Sequence, residues 1–253
     1  MSHASNPWMQ IARPKADSRL RLFCFPYAGG GASIYRSWTD SLPASVEVVA
    51  VQLPGREGRL GEKPVTSLVR LRETLGEVLL PYLDRPFAFF GHSMGALIGF
   101  EVACHLRREA GLVPAHLFFS GRHAPQLPGL LPPVHRLSDE AFVDQINRRY
   151  NGIPKAILQE PELMQLFLPL LRADFTLIED FTYTPEAPFE CPVTAYGGWQ
   201  DSLVSFDGLA GWRVQAAGAF SQQMLPGDHF FLQSARPQLL NHLSQALMKH
   251  ELI

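Results

Sequence analysis

Residues 89–101 read FFGHSMGALIGFE, so a serine lies between two glycines where one apolar run ends and another begins. The segment GHSMG at 91–95 fits G-x-S-x-G, the nucleophile elbow, in which a sharp turn from strand to helix exposes the serine hydroxyl. Glycines on either side remove side chains that would clash at such a turn. The free N–H groups of the helix N-terminus then point at the serine, where negative charge develops during a reaction. The pattern predicts Ser93 as a nucleophile on an α/β sheet.

The composition is typical of one large domain, which we predict to span residues 1–253. With 22 basic and 24 acidic residues, the net charge of −2 argues against a nucleic-acid or membrane-surface binder. The N-terminus lacks the apolar core of a signal peptide, and no 18-residue apolar stretch suggests a membrane span. Cys24, Cys104 and Cys191 form no C-x-x-C pair, which favours a reducing cytoplasm, and we expect the first two to be buried.

Strand-like and helical patterns alternate outward from the elbow. The predicted strands are 20–25, 46–53, 87–92, 115–121, 192–198 and 220–225. The predicted helices begin near Ser33, at about Thr66, after Ser93 and near Ser234, the third ending at Gly111. Several strands are apolar throughout, which is typical of parallel strands covered on both faces. The alternation predicts an α/β fold, with a mostly parallel sheet flanked by helices.

One connection, residues 121–192, is far longer than a crossover needs, at about 70 residues. It contains helical patterns at 138–150 and at about 155–180, the second with Pro169 as an expected kink. An insertion after the carboxyl end of a strand lies over the edge where α/β proteins bind ligands. We therefore predict a helical lid over 135–180. The alternative is a helical subdomain that only enlarges the core.

A serine nucleophile needs a base, and nine histidines are present. In this type of fold an acid and then the base follow the serine along the chain. His229 lies in PGDHFF, between the last strand and the last helix, where a loop can bring an imidazole to the serine. The sequence predicts His229 as the base, with His123 as the main rival.

The base in turn needs a carboxylate that holds its tautomer. Asp201 follows the strand at 192–198, at the carboxyl edge of the sheet, and is the predicted acid. Asp207 and Asp228 are the alternatives, although Asp228 adjoins the base in sequence.

An oxyanion hole requires two backbone N–H donors. Met94, the residue after the nucleophile, is one predicted donor. The other is expected from the loop PYAGGG at 26–31, where we favour Ala28 over Tyr27. That loop lacks the G-K-[ST] of a phosphate loop and the third glycine of a dinucleotide fingerprint.

Five stretches together go beyond a general hydrolase. They are FPYAGG (25–30), LPGRE (53–57) with the nearby Arg59, GHSMG (91–95), DSLV (201–204) and GDHFF (227–231). With them the chain, over roughly residues 20–248, resembles the type II thioesterases, stand-alone editing enzymes of polyketide and nonribosomal-peptide assembly lines with an α/β-hydrolase fold. The resemblance implies a triad of Ser93, Asp201 and His229, with Ala28 and Met94 as oxyanion donors.

The resemblance also implies the reaction. The substrate would be an acyl thioester on the phosphopantetheine arm of an acyl or peptidyl carrier protein, cleaved through an acyl-enzyme by a monomer without a metal or bound cofactor. The alternatives are a chain-releasing thioesterase of fatty-acid synthesis, a carboxylesterase or acyltransferase with the same triad, and a scaffold that only binds. The family's lid often carries Gly-Gly before a residue and proline, whereas this chain has NGIP at 151–154.

Two further expectations concern the lid and the carrier protein. If the lid covers the site, Phe142 and Phe167 should line the acyl chamber. The resemblance implies an acidic carrier surface, for which two arginine pairs are candidates. They are Arg56 with Arg59 and Arg148 with Arg149, although Arg56 could instead brace the loops of the active site.

Overall fold

The computed structural model describes residues 6–129, 131–150 and 152–249. Within these ranges the strands are β1 Met9–Gln10, β2 Leu20–Phe25, β3 Val46–Val51, β4 Phe87–His92, β5 His116–Ser120, β6 Val193–Gly198 and β7 Phe220–Leu225. The helices are α1 Trp38–Ser41, α2 Leu68–Leu79, α3 Met94–Ala110, α4 Asp139–Tyr150, α5 Lys155–Gln159, α6 Pro161–Glu179, α7 Phe206–Ala210, α8 Phe231–Ser234 and α9 Arg236–Lys249.

The strands form one sheet in the order β1-β3-β2-β4-β5-β6-β7. All neighbours from β3 across to β7 pair in parallel, and the two-residue β1 adds an antiparallel edge. Five inner strands are buried on both faces, which explains their mainly apolar sequences, and the buried Arg21 of β2 is paired with Glu47 of β3. The predicted mostly parallel α/β sheet is confirmed. The edge strand β1 was not predicted, because two residues are too short for a recognisable pattern.

The two faces of the sheet bury different side chains of each strand. Phe23 and Phe25 of β2 pack with α2 and α3, whereas Leu22 and Cys24 pack with α1 and α9 on the other face. This follows from the two-residue period of a strand. Each fully buried phenylalanine or leucine stabilises the fold by about 1.5–3 kcal/mol. Cys24 and Cys104 are buried, as predicted.

A glycine ends α3, the helix that follows the elbow. Helix α3 ends where Gly111 adopts a left-handed conformation, with φ of 64°, and donates its N–H to the carbonyl oxygens of Leu106 and Arg107. Glycine adopts this conformation without a steric penalty, so the predicted stop at Gly111 is confirmed. No helix of the described residues is long and apolar enough to cross a membrane.

Three predicted helices differ in detail from the structure. The one expected near Ser33 is a short 3₁₀ turn, Ala32–Tyr35, followed by α1. The last one, expected to begin near Ser234, is α9, which begins at Arg236 and is preceded by the four-residue α8. The helix expected at about 155–180 is two helices, α5 and α6, with an extended residue, Glu160, between them. Proline disfavours the helical conformation of the residue before it, so Pro161 forces the break.

Helices α4, α5 and α6 lie between β5 and β6 along the chain and share an apolar cluster of their own. Its buried members are Val134, Phe142, Ile146, Ile153, Leu171 and Phe175. Phe142 is completely buried there, with its ring edge-on to Phe175 and beneath the guanidinium of Arg172. The prediction that Phe142 lines a chamber is therefore wrong, because its side chain holds the helices together.

Candidate active site

Ser93 occupies the turn between β4 and α3 in a conformation that few non-glycine residues adopt. Its φ is 54° and its ψ is −113°, and its N–H donates to the carbonyl oxygen of Ser120 at 2.7 Å. Strain of this kind costs about 1–3 kcal/mol and persists only where the surroundings impose it. The hydrogen bond to the end of β5 is one such constraint, and the neighbouring glycines supply the space.

Both glycines of the elbow are required by backbone contacts. A Cβ on Gly91 would collide with the carbonyl group of Gly95, and one on Gly95 would collide with the carbonyl oxygen of Phe25. Neither obstacle is a side chain that could rotate away. The second contact also brings the start of α3 against the end of β2, which places the loop after β2 beside Ser93.

A continuous hydrogen-bond relay joins three of the predicted residues. The Oγ of Ser93 lies 3.0 Å from Nε2 of His229, and Nδ1 of His229 lies 2.7 Å from Oδ2 of Asp201. All three residues are at most 9% exposed. The other carboxylate oxygen of Asp201 accepts the N–H of Leu203 at 2.9 Å, which fixes the carboxylate plane. Because a carboxylate only accepts, Nδ1 carries the proton and Nε2 is free to accept the serine proton.

The rival residues lie elsewhere or have other partners. His123 lines the cavity next to Ser93, and burial lowers its pKa to about 4, but the serine hydroxyl is bonded to His229. Asp207 lies in the first turn of α7, and Asp228 accepts the N–H of Phe230 as a turn residue.

His92 has a role that the sequence did not reveal. Its Nε2 lies 2.8 Å from the carbonyl oxygen of His229, and its Nδ1 lies 2.9 Å from Oγ of Ser120. The carbonyl must accept, so Nε2 carries the proton and Nδ1 accepts from the hydroxyl. Burial and the nearby His229 hold the pKa of His92 well below its usual value, which keeps the ring neutral. His92 therefore supports the backbone of the loop that carries His229.

The loop after β2 is tied to the helices above it. Asp174 of α6 is completely buried and accepts the N–H of Gly29 at 2.7 Å. The Asp174 carboxylate also accepts hydrogen bonds from both terminal nitrogens of Arg56, at 2.7 and 2.9 Å. Arg56 further donates to the carbonyl oxygen of Gly30 at 3.0 Å. The N–H of Ala28 has no acceptor among the described residues, and Ala28 lines the smaller cavity beside Ser93. One buried ion pair thus fixes both the loop and α6.

This finding corrects the expectation of a basic surface at Arg56 and Arg59. Arg56 is only 3% exposed and braces the loops, which was the alternative for that residue. Arg59 is also buried, donates to Glu62 and the carbonyl oxygen of Gln52, and lies over the ring of Trp8. A buried guanidinium that is already paired cannot attract a partner protein.

The second arginine pair is more accessible. Arg148 is exposed and paired with Asp144, and Arg149 donates to the carbonyl oxygen of Pro132. Of the segment NGIP at 151–154, Asn151 lies outside the described residues.

Two cavities meet at the serine. The larger has a volume of about 550 Å³ and the smaller about 200 Å³. Ser93, His229, Tyr150 and Phe175 line both. Tyr150 of α4 packs its ring against His229 with the centroids 5.1 Å apart. Phe167 lines the smaller cavity, as expected. The serine can therefore be reached by a substrate that extends in two directions.

The comparisons with known proteins agree with this geometry. The family model described as "Thioesterase domain" matches residues 20–247. The chain belongs to the thioesterase family. It is 45% identical over 242 residues to the gramicidin S biosynthesis protein GrsT of Aneurinibacillus migulanus, covering 96% of this chain and 94% of that protein.

Solved structures of other thioesterases have the same fold. The RedJ thioesterase from the prodiginine pathway of Streptomyces coelicolor is 41% identical with a TM-score of 0.85, covering 92% of each chain. The type II thioesterase BorB from the borrelidin biosynthetic cluster is 32% identical with a TM-score of 0.87, and the match covers 97% of this chain and 100% of the BorB chain. The predicted α/β-hydrolase fold and the resemblance to thioesterases are confirmed, and the enzyme is a hydrolase that acts on thioesters.

Three features of this thioesterase site were missed by reasoning from the sequence. They are the support from His92, the ion pair of Arg56 with Asp174, and the guanidinium of Arg122 in the larger cavity. Two of them had a signal. Asp174 is an acidic residue within the apolar face of α6, and Arg122 follows the carboxyl end of β5, the edge where α/β proteins bind ligands.

Proposed function

We propose that this enzyme is a stand-alone type II thioesterase that removes aberrant or stalled acyl groups from the phosphopantetheine arms of acyl or peptidyl carrier proteins. The observation that carries the proposal is the relay of Ser93, His229 and Asp201 at the junction of two cavities. The relatives support the choice of pathway, because GrsT is a gramicidin S biosynthesis protein and BorB a type II thioesterase of a biosynthetic cluster.

In the first half of the proposed reaction, Ser93 attacks the thioester carbonyl carbon while His229 accepts the serine proton on Nε2. Asp201 stabilises the resulting imidazolium through Nδ1. The carbonyl oxygen becomes an oxyanion, for which the N–H groups of Ala28 and Met94 are the proposed donors. Met94 is the first residue of α3, so its N–H has no acceptor within the helix.

Collapse of this intermediate breaks the carbon–sulfur bond, and the departing sulfur takes the proton from Nε2 of His229, which releases the phosphopantetheine thiol and leaves the imidazole neutral again. The acyl group is then an ester of Ser93. In the second half, His229 removes a proton from water, the hydroxide attacks the ester, and the serine leaves with the proton that His229 returns. The products are a carboxylic acid and the free carrier thiol, and no metal or bound cofactor takes part.

We also propose that residues 135–180 act as a lid within a single domain. Support comes from Tyr150, which packs on His229, and from Asp174, which holds the loop of Ala28. Both side chains belong to helices of the insertion, so the insertion contributes to the site and does more than enlarge the core.

We also predict that the enzyme is a monomer and that it is located in the cytoplasm. Size-exclusion chromatography with light scattering would test the first prediction, and fractionation of the producing cell would test the second.

The test compares an acyl-carrier thioester with an oxygen ester of the same acyl group. We expect a much higher kcat/KM for the carrier thioester, and a loss of roughly 10⁴- to 10⁶-fold in kcat for Ser93→Ala. A fluorophosphonate should label Ser93 of the wild type and leave the variant unlabelled. A preference for the oxygen ester would favour a carboxylesterase, and transfer of the acyl group to a second nucleophile in place of water would favour an acyltransferase.

A further inference from the structure

The two cavities at Ser93 differ in chemistry as well as size. The smaller one is lined mainly by apolar side chains of the insertion, among them Ile146, Ile157, Phe167 and Leu171. It lies on the side of Ala28, a proposed oxyanion donor. Burial of an alkyl group in such a cavity is favourable, whereas a polar group would find few hydrogen-bond partners there.

The larger cavity extends past the end of β5 and carries polar side chains. Its lining includes Arg122, His123, Gln126 and Arg149. Glu179 also lies there, but its carboxylate already accepts the N–H groups of Val134 and His135 and bonds Nδ1 of the His135 ring. A ligand in this cavity would therefore find mainly the hydrogen-bond donors of the arginines.

Arg122 lies in this cavity with an unpaired donor. Its Nε is buried, and no described residue accepts a hydrogen bond from it. No carboxylate of the described residues forms an ion pair with its guanidinium. Burial lowers the pKa of Arg122 to about 10, although the guanidinium stays protonated at neutral pH. A buried donor without an acceptor costs free energy, so such a group calls for an explanation, and a bound ligand oxygen is one.

We propose that the larger cavity receives the phosphopantetheine arm, with Arg122 donating to an amide carbonyl oxygen of the arm, while the smaller cavity receives the acyl chain. This assignment rests on the proposed function and adds the placement of the substrate. A thioester has two limbs, and they match the cavities: the acyl limb is alkyl-rich, and the arm carries amide and hydroxyl groups along a greater length.

The position of Arg122 selects the amide over the phosphate. Arg122 follows Ser120 by two residues, and the carbonyl oxygen of Ser120 binds the N–H of Ser93. Its side chain therefore starts close to the nucleophile. An amide of the arm lies near the thioester sulfur, whereas the phosphate lies at the far end. An editing enzyme gains from this arrangement, because the arm is common to all its substrates and the acyl group is not.

The experiment measures kcat/KM for three hexanoyl thioesters that differ only in the leaving group: S-butyl, N-acetylcysteamine and pantetheine. For Arg122→Met we expect a loss of about 10- to 100-fold with the two amide-bearing thiols and less than about threefold with S-butyl. Arg122→Lys should recover part of the loss because it keeps a donor. Arg70→Met, which changes an exposed arginine of α2, is the matched control and should leave all three values unchanged.

A second variant tests the other cavity. Phe167→Ala enlarges the apolar side and should shift the preferred acyl chain to longer lengths, by the same amount with every leaving group. Melting temperatures of both variants test whether the fold is retained, and Arg122→Gln replaces Arg122→Met if the latter does not fold.

The assignment would be overturned if Arg122→Met lowered kcat/KM equally for all three hexanoyl thioesters, since the arginine would then only support the structure. The same measurement on the corresponding succinyl thioesters gives a second outcome. A loss for Arg122→Met that is confined to the succinyl compounds would also overturn the assignment, because the acyl group would then occupy the larger cavity. The proposed function fails separately, if the wild type hydrolyses these small thioesters but leaves acyl-carrier protein intact.

Discussion

Replacing Asp174 by alanine tests whether the buried ion pair holds the insertion to the catalytic loop. The variant leaves Arg56, which is 3% exposed, without its carboxylate and leaves the N–H of Gly29 without an acceptor. Breaking one side of a buried pair costs about 3–5 kcal/mol, because the remaining charge stays buried and unpaired. In a chain of this size each kcal/mol lowers Tm by about 2–4 °C, so we expect a fall of roughly 6–20 °C.

Thermal unfolding followed by circular dichroism measures this effect, and two further variants interpret it. Asp144→Ala removes the aspartate of an exposed Arg–Asp pair in α4, where both side chains are close to half exposed or more, and should cost no more than about 1 kcal/mol. The double variant Arg56→Met with Asp174→Leu should regain much of the lost stability, since an apolar pair can replace a buried ion pair. Its kcat should nevertheless stay at least about tenfold below the wild type, because Gly29 still lacks its acceptor and the oxyanion loop is no longer held in place.

Equal melting temperatures for Asp174→Ala and Asp144→Ala would refute this reasoning, because the buried pair would then contribute no more than an exposed one. Full activity in the double variant would refute the second part, the link between Asp174 and the position of the oxyanion loop.

Three other predictions follow from the same structure. His92→Phe should lower kcat by roughly tenfold or more, since the loop of His229 loses its support. Labelling of Ser93 by fluorophosphonate should stay detectable, and an unchanged kcat would contradict the role of His92. Because burial lowers the pKa of His123 from 6.5 to about 4, the unfolded chain binds the proton first, so stability falls as pH drops from about 6.5 to 4. Urea unfolding across this range should show a shallower pH dependence for His123→Gln, and equal slopes would argue against it. Arg148→Glu, which leaves Arg149 of the larger cavity unchanged, should lower kcat/KM for acyl-carrier substrates mainly at low salt and spare acyl-N-acetylcysteamine thioesters. An equal loss on both would mean that Arg148 shapes the lid.

The sequence was informative wherever a short-range rule applies. The predicted bounds of β2 and β4 coincide with the structure, because strands that are buried on both faces have mainly apolar side chains. The elbow was recognisable because its glycines face backbone atoms that no substitution can displace. Asp201 and His229 were identified by their place after strands of a parallel sheet, whose carboxyl ends meet at one edge. The relay shows these three residues in contact, and their catalytic roles remain proposals.

Errors arose where neighbours distant in sequence decide the outcome. Phe142 was assigned to a chamber because it is apolar and lies on an insertion, but which face of α4 meets α6 depends on packing between helices. Arg56 looked like part of a basic surface, and only the folded chain brings it to Asp174, which is 118 positions away.

The sequence by itself therefore determined the α/β architecture, the position of the nucleophile and the candidates for its acid and base, because periodicity, glycine sterics and chain order are local properties. Only the tertiary structure decided which histidine reaches the serine, that His92 supports the loop of His229, and that the buried Nε of Arg122 has no acceptor among the described residues. The physical reason is that hydrogen bonding and burial are set by distances between side chains from separate elements, and these distances exist only once the sheet and the insertion have packed.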